Sequence, residues 1–266
     1  MNREKRILGL GSDLANSIVL GDEGCIYPCI HPATLGMAKK QLAAGGELRF
    51  LTPIVPDACF GRLFDCLEEL GGIRPFKVTF NDYGLLHRCR HRIKQGRILP
   101  VAGRILTRSS LDCAWRDDLF NGGADDKRDM ILRYNMQNGM KNIFFGQFAI
   151  QELEVNYYPG HFDRLLADQP LALYVHQNQN LLSVGRACFY ARMERHPVQG
   201  CLEEPACKQS KHIAMKSLWS KKDARYRDDL TGRFPKRAYL RGNAVFDAIE
   251  QDMARYEQND RVFVIV

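Results

Sequence analysis

Three cysteines late in the chain, Cys188, Cys201 and Cys207, are spaced C-x12-C-x5-C within RACFYARMERHPVQGCLEEPAC, a stretch punctuated by Pro197, Gly200 and Pro205. Thiolates hold iron–sulfur clusters and structural zinc, and loop backbone lets several sulfurs converge on one point. The plain alternative is three ordinary half-exposed thiols, and spacing alone leaves both readings open. A tetrahedral site needs a fourth ligand. Cys25 and Cys29, in CIYPC directly after the apolar run SIVLG, are equal candidates by spacing, because they stand where a β→α loop is expected. Cys59, Cys66 and Cys89 fall in helix-like stretches and read as small buried hydrophobes. Cys113 carries no assignment. Nine cysteines is an odd number, and nothing marks the chain as secreted, so a reducing cytoplasmic setting is expected.

Other residues could do chemistry from the ends of strands. Asn81 and Asp82 follow the strand-like KVTF where a helix begins. Asp82 reads as a helix cap, and in the functional version both residues face a site at the mouth of a sheet. Arg104, in VAGRIL, could grip a carboxylate with two parallel N–H bonds, against the plain alternative of a salt-bridged arginine. His176 ends the run LALYVH and Gln147 sits in IFFGQF; both are candidates for a mouth, although a lone histidine is more often simply hydrogen-bonded. Glu152 and Glu154 are weak evidence for acid–base work, since alternate glutamates on one strand or loop are common. Gly9-Leu10-Gly11 is no dinucleotide fingerprint, because Leu14 stands where the third glycine belongs.

The elements that must position these residues alternate. Strands are expected over Ser17–Gly21, Leu48–Ile54, Pro75–Phe80, Ile98–Leu106, Asn142–Ile150, Leu171–His176 and Arg261–Val266. Helices are expected over Pro32–Ala44, over Ala58–Leu70 with Gly71-Gly72 as its stop, and over Tyr83–Ile93. Such alternation predicts an α/β protein with a parallel sheet and crossover helices; periodicity does not say whether the sheet closes into a barrel. A variable insertion is expected near 112–135 and a charged connector near 208–241.

Length and composition exclude several classes. At 266 residues, with 45% hydrophobic and 26% charged residues, the chain is neither disordered, collagen-like nor a disulfide-stapled miniprotein. A core of normal size is available, so no metal is needed merely to hold the fold. A net charge of +7 permits an anionic partner without requiring nucleic acid. No apolar run reaches the roughly 18 residues of a membrane helix, and the N-terminus, whose short apolar stretch acidic residues soon interrupt, reads as part of the domain and not a signal peptide.

Four blocks resemble peptidase family U32, in particular its UbiV-like ubiquinone-biosynthesis branch: SIVLGDEGC (17–25), KVTFNDYGLL (77–86), LPVAGRILT (99–107) and RACFYARMERHPVQGC (186–201). They run in the family's order over about four-fifths of the chain. The resemblance implies a single (β/α) TIM-barrel-like domain over 1–266, incomplete or distorted as a barrel. It implies a 4Fe–4S cluster held by one early and three late cysteines, which carries over to Cys25, Cys188, Cys201 and Cys207, with Cys29 as the alternative to Cys25. It further implies oxygen-independent hydroxylation with prephenate as cosubstrate, a small aromatic or quinone-type substrate, and a paralogous, UbiU-like partner subunit. The family's usual signature is only partly visible, in GRACFYAR, which argues against proteolysis.

Two other classes are carried alongside. One is an RNA base-hydroxylating enzyme of the same family, whose basic stretch 208–241, with Trp219, Tyr226 and Phe234, would grip phosphates and stack bases. The other is a cluster-bearing electron-transfer or scaffold subunit without catalysis of its own. Zinc in the same thiolates is a lesser option.

Overall fold

The computed structural model describes residues 7–8, 17–112, 139–185, 188, 191, 213–214, 238–249, 252–256 and 259–265. Its strands are β1 Ile7–Leu8, β2 Ser17–Gly21, β3 Glu47–Leu51, β4 Phe76–Phe80, β5 Ile98–Ala102, β6 Glu152–Val155, β7 Ala172–His176, β8 Gln179–Val184, β9 Ile213–Ala214, β10 Ala238–Arg241, β11 Ala244–Ala248 and β12 Val262–Ile265. Its helices are α1 Tyr27–Ile30, α2 Pro32–Ala43, α3 Asp57–Ile73, α4 Tyr83–Arg88, α5 Arg90–Lys94, α6 Gly139–Gly146 and α7 His161–Asp168.

The larger sheet has the order β1-β12-β7-β6-β5-β4-β3-β2. Seven strands, β12 through β2, run parallel, and β1 joins β12 antiparallel. Helices link successive parallel strands from β2 to β7, while the stretch between the parallel neighbours β7 and β12 carries β8 to β11. The sheet curls into a half-barrel, bringing β1 within 8 Å of β2, although no ladder joins these two among the described residues.

Alternation along the strands divides the two faces. Leu48, Phe50, Phe76, Val78, Phe80, Leu153, Val155, Leu173 and Val175 point outward into the core shared with the helices. The opposite face turns inward and mixes Val19, Leu51, Val101, Tyr174 and Ile265 with the buried ions Arg49 and Glu154. Helix α3 contributes Leu63, Leu67 and Leu70 to the outer core, all fully buried, each stabilising by about 1.5–3 kcal/mol.

A second, antiparallel sheet has the order β8-β11-β10-β9. Only two residues separate the end of β7 from the start of β8, so this sheet stands at the C-terminal end of the parallel strands. Its apolar residues Leu181, Ala244 and Phe246 pack with Ile105 from the segment after β5. Gly242 has φ 62°, the positive angle that the first loop residue of a type II′ hairpin adopts between β10 and β11.

Several expected elements are corrected. Asn142–Ile150 is not a strand: α6 covers its first half, and Phe145 and Phe148 are buried while Ile143 and Gln147 are exposed, a helical spacing of three to four. Glycines 71 and 72 do not stop α3, which continues to Ile73; Gly71 is buried, with Arg97 and Ile98 near the space its side chain would fill. The helix expected over Tyr83–Ile93 divides at Cys89 into α4 and α5. Strands β3 and β5 end sooner than expected, at Leu51 and Ala102, where Thr52 and Gly103 turn their N–H groups to the carbonyls of Thr79 and Phe80. Most of the insertion near 112–135 and of the connector near 208–241, with Trp219, Tyr226 and Phe234, lies outside the described residues.

Candidate functional site

The C-terminal ends of the parallel strands gather a network of buried ions. Gly21 ends β2 with φ 85° and lies so close to Leu51 O that an added Cβ would stand 2.2 Å from it. That tight exit aims the following loop, Asp22–Cys25, across the mouth. Glu23 from this loop is fully buried, and Arg104, two residues after β5, clamps it through Nε to Oε2 at 2.9 Å and Nη2 to Oε1. Arg104 Nη1 donates to Asn156 Oδ1 at 3.1 Å and to Gln179 O at 2.8 Å. Four of the five guanidinium N–H bonds are therefore committed inside the protein. Arg104 has no fork left for an external carboxylate, and the grip expected of it closes on Glu23 instead.

Glu154 on β6 is the second buried carboxylate. Its Oε2 accepts from Arg49 Nη2 at 2.5 Å and its Oε1 accepts from His176 Nε2. An ionised carboxylate can only accept, so the Nε2 of His176 carries the proton in this bond. Glu23 Oε1 lies 4.0 Å from the same Nε2, and Arg104 Nε lies 4.0 Å from Glu154 Oε1. Arg49 also donates through Nε to Thr79 Oγ1 at 2.9 Å and stacks on Tyr174, its Cζ 3.6 Å from the ring centroid.

Burial alone would push both carboxyls up, but the facing cations outweigh it. Arg104, then His176, hold Glu23 down to about 2. Arg49 and His176 hold Glu154 still further below the ordinary carboxylate range. Both groups therefore remain charged at neutral pH.

The smaller sheet covers this network. Asn156 Nδ2 donates to Leu181 O and Asp112 Oδ1, each at 2.7 Å, and Asn180 exchanges two 3.0 Å bonds with the backbone of Tyr157. From β10, Tyr239 donates to Gln179 Oε1, and Arg241 reaches Asp22 Oδ1 at 3.3 Å while lying over Phe246 at 4.5 Å. The backbone of Asn243 ties three segments together: its N–H donates to Gly24 O at 2.7 Å, and its carbonyl accepts from Gly185 N at 2.8 Å. That bridge brings the loop carrying Cys25 and the segment leading to Cys188 to one turn.

Glu23, Glu154 and His176 offer three metal-type ligand atoms within 4.8 Å of one another. The donor types suit a divalent cation, but each carboxylate is already neutralised by a guanidinium. A cation would have to displace Arg104 and Arg49 and stand beside them, so the triad fits an ion network better than a metal centre. Chemically it offers a histidine oriented by a carboxylate, a pairing that can move a proton.

The remaining candidates separate. Cys25 is half-buried at the mouth, its Cβ 3.0 Å from where a Cβ on Gly242 would stand. Cys29 is fully buried beneath it, with Sγ 3.3 Å from Leu51 O and within reach of the carbonyls of Asp22 and Cys25; burial pushes its thiol far up. Cys188 is half-buried, while Cys201 and Cys207 lie outside the described residues. Cys59 and Cys89 are buried as expected, and burial pushes Cys89 up to about 12; Cys66 is half-buried.

Asn81 is buried and structural: Oδ1 accepts from Ile105 N at 3.0 Å and Nδ2 donates to Thr52 O at 2.9 Å. Asp82 caps α4 through Leu85 N at 2.9 Å and accepts from Val55 N at 3.2 Å. Gln147 is exposed on the turn after α6, and Glu152 pairs with Lys77 at 2.7 Å lower in the barrel.

Glu23 and Arg49 carried no expectation from sequence, and Arg241 figured only as the end of the basic stretch 208–241. A charged residue inside an apolar strand (LRFL) was the available signal for Arg49, and an acidic residue just past a strand end was the signal for Glu23.

Fold and site together define an α/β half-barrel protein whose ionic mouth is covered by a small antiparallel sheet, and no helix among the described residues is long and apolar enough to cross a membrane. No family model, no curated protein and no solved structure matches the chain.

Proposed function

We propose that the chain is an iron–sulfur protein of the U32 type. It acts in oxygen-independent hydroxylation within a biosynthetic pathway, alongside a paralogous subunit. The 4Fe–4S cluster would be held by Cys25, Cys188, Cys201 and Cys207, and prephenate would serve as cosubstrate. The observation that supports this reading is the Asn243 bridge, which ties Gly24, the residue before Cys25, and Gly185, three residues before Cys188, to one turn at the mouth of the half-barrel. The contrast with Cys29 adds support. A fully buried thiol hydrogen-bonded to backbone is poorly placed to ionise and bind iron, whereas Cys25 is half-buried at the mouth.

Within this reading the cluster supplies one-electron chemistry. The chain's own residues supply a proton-bearing histidine, His176, fixed by Glu154, and a sheet that keeps water from the ionic mouth. A peptidase is not favoured, because the family's usual signature is only partly visible, in GRACFYAR.

Anaerobic purification tests the proposal. Protein carrying about four iron and four sulfide per chain, on the stoichiometry of a cubane cluster, is the expected result. Changing Cys25, Cys188, Cys201 or Cys207 to alanine should lose or degrade the cluster, while Cys29→Ala should leave its absorbance intact. Colourless protein with stoichiometric zinc would overturn the proposal.

A further inference from the structure

At the end of the half-barrel opposite the ionic mouth, the turns that enter β3, β4 and β5 lie side by side. These strands are adjacent and parallel, with Phe76 level with Ile98. Direct contacts hold the turns together. Arg74 Nη1 donates to Gly45 O at 2.6 Å, and Phe76 N donates to Arg97 O at 3.4 Å. The end of α3 packs on the same turn, since an added Cβ on Gly71 would stand 3.7 Å from Arg97 Cβ.

This end is basic. The stretch His87–Arg97, HRCRHRIKQGR, holds Arg88, Arg90, Arg92, Lys94 and Arg97 and no acidic residue. Arg92 pairs with Glu68 at 2.6 Å, but Arg88, Arg90, Lys94 and Arg97 are exposed and pair with no carboxylate among the described residues. Arg88 lies over Phe64 and Arg90 reaches His87, and neither contact removes charge. The exposed acid of the three turns is Glu47, outnumbered by Arg74, Lys94 and Arg97.

The same turns expose two aliphatic side chains, Ile73 at 42% and Leu99 at 43%. They are interleaved with the cations: Ile73 precedes Arg74, and Leu99 stands two residues after Arg97. A protein partner buries a gathered apolar centre with few charges in it, which this pattern does not offer. A nucleic acid gains little from aliphatic tips, and the turns carry no tyrosine, tryptophan or exposed phenylalanine on which a base could stack. Cations that meet phosphates beside aliphatic groups that leave water are what an anionic bilayer surface takes.

We infer that this end of the half-barrel docks on an anionic lipid bilayer. Lys94, Arg97, Arg74 and Arg90 meet headgroup phosphates, and Ile73 and Leu99 enter the boundary between headgroups and acyl chains. The inference does not rest on the iron–sulfur reading. Docked in this way, the protein turns its ionic mouth, at the other end of the strands, away from the lipid.

Sedimentation of the whole protein with vesicles tests this, using phosphatidylcholine alone and equal parts phosphatidylcholine and phosphatidylglycerol. Wild type should pellet with the second and not the first, and added salt should release it. Each basic residue at such a surface strengthens binding about fivefold at low salt, so K94Q/R97Q should bind about twenty-five-fold more weakly. Both residues are exposed, so this variant should melt with wild type. I73S should weaken binding without changing its dependence on salt. K40Q/R164Q removes two exposed cations from α2 and α7 and should bind as wild type does. No pelleting, or equal pelleting with both vesicles, overturns the inference, and so does K94Q/R97Q losing no more affinity than K40Q/R164Q. Tighter binding to a short single-stranded RNA than to anionic vesicles at one salt concentration, lost in K94Q/R97Q, would assign this end to nucleic acid and overturn the inference as well.

Discussion

Arg49 on β3 and Glu154 on β6 form a 2.5 Å ion pair although β4 and β5 lie between their strands. Three steps across a flat sheet span about 14 Å at the usual strand spacing. The pair can meet only because the sheet curls, so this contact both reports the curvature and braces it. Removing one partner strands the other as a buried charge. Arg49→Met should therefore destabilise by about 3–5 kcal/mol, read as a lower urea midpoint. The double variant Arg49→Met/Glu154→Gln should lie closer to wild type than the single one. Equal midpoints for wild type and Arg49→Met would show that the pair contributes nothing.

Stability should depend on pH in the acid range with a definite sign. Glu23 is lowered from an ordinary 4.5 to about 2, and Glu154 is lowered as well. Groups depressed in the folded state contribute stability that is fully present above their unfolded values and is lost as pH falls through the folded ones. The melting temperature should hold above pH 4.5 and fall towards pH 2. Glu23→Gln should start lower and fall less steeply over that window. A wild-type melting temperature that stays level from pH 5 to pH 2.5 would contradict the charged assignment of this network.

How the structure relates to its sequence is clearest on the strands. Runs such as SIVLG, KVTF and LALYVH show their strands because both faces of a parallel sheet are buried and apolar residues dominate. IFFGQF misleads, because aromatic residues favour strands locally while here a helical spacing of buried phenylalanines prevails. Arg104 was legible as a carboxylate-binding arginine, but its carboxylate belongs to the protein. Nothing local could reveal that, since Glu23 and Arg104 are 81 residues apart and meet only through tertiary packing. The small covering sheet was not visible either, because β9 and β10 fall within the charged stretch 208–241 that reads as a connector.

Thiol labelling should sort the cysteines by burial. In the reduced, iron-free protein under native conditions, iodoacetamide should reach Cys25 and Cys188 well before Cys29, Cys59 and Cys89. The last three are fully buried, and burial pushes Cys29 and Cys89 upward, so little thiolate forms. Mass mapping of the first modified sites checks the order. Early modification of Cys29 would contradict its place beneath the mouth.

Two glycines should respond in opposite directions to alanine. Gly21→Ala meets both a positive φ, costing about 1–2 kcal/mol, and the Leu51 carbonyl, so it should destabilise by more than about 2 kcal/mol. Gly36 lies within α2 with open space where its Cβ would be, and Gly36→Ala should stabilise by about 0.5–1 kcal/mol. Thermal melts of the two variants check both signs.

Asn81→Ala should cost about 1–3 kcal/mol for each group it leaves unpaired, namely Ile105 N–H and Thr52 O. Asn81→Asp should keep the first contact and lose the second. If either variant melts with wild type, the strap that Asn81 makes between the segments after β3 and β5 is not structural.

The two-residue turn at Gly242-Asn243 also fixes how long this part of the chain is allowed to be. One residue there, Asn243, holds the Cys25 loop through its N–H and the segment beyond β8 through its carbonyl, and the β10–β11 ladder begins on the very next pair, Arg241 opposite Ala244. An insertion of one residue would slide β11 by a step and turn Phe246 from the packed face to the open one. It would also detach Gly24 and Gly185 together. Length variation can therefore accumulate in the connector before β10, but drift at this hairpin would be purged, and lineages of such a protein should differ in the one and agree in the other.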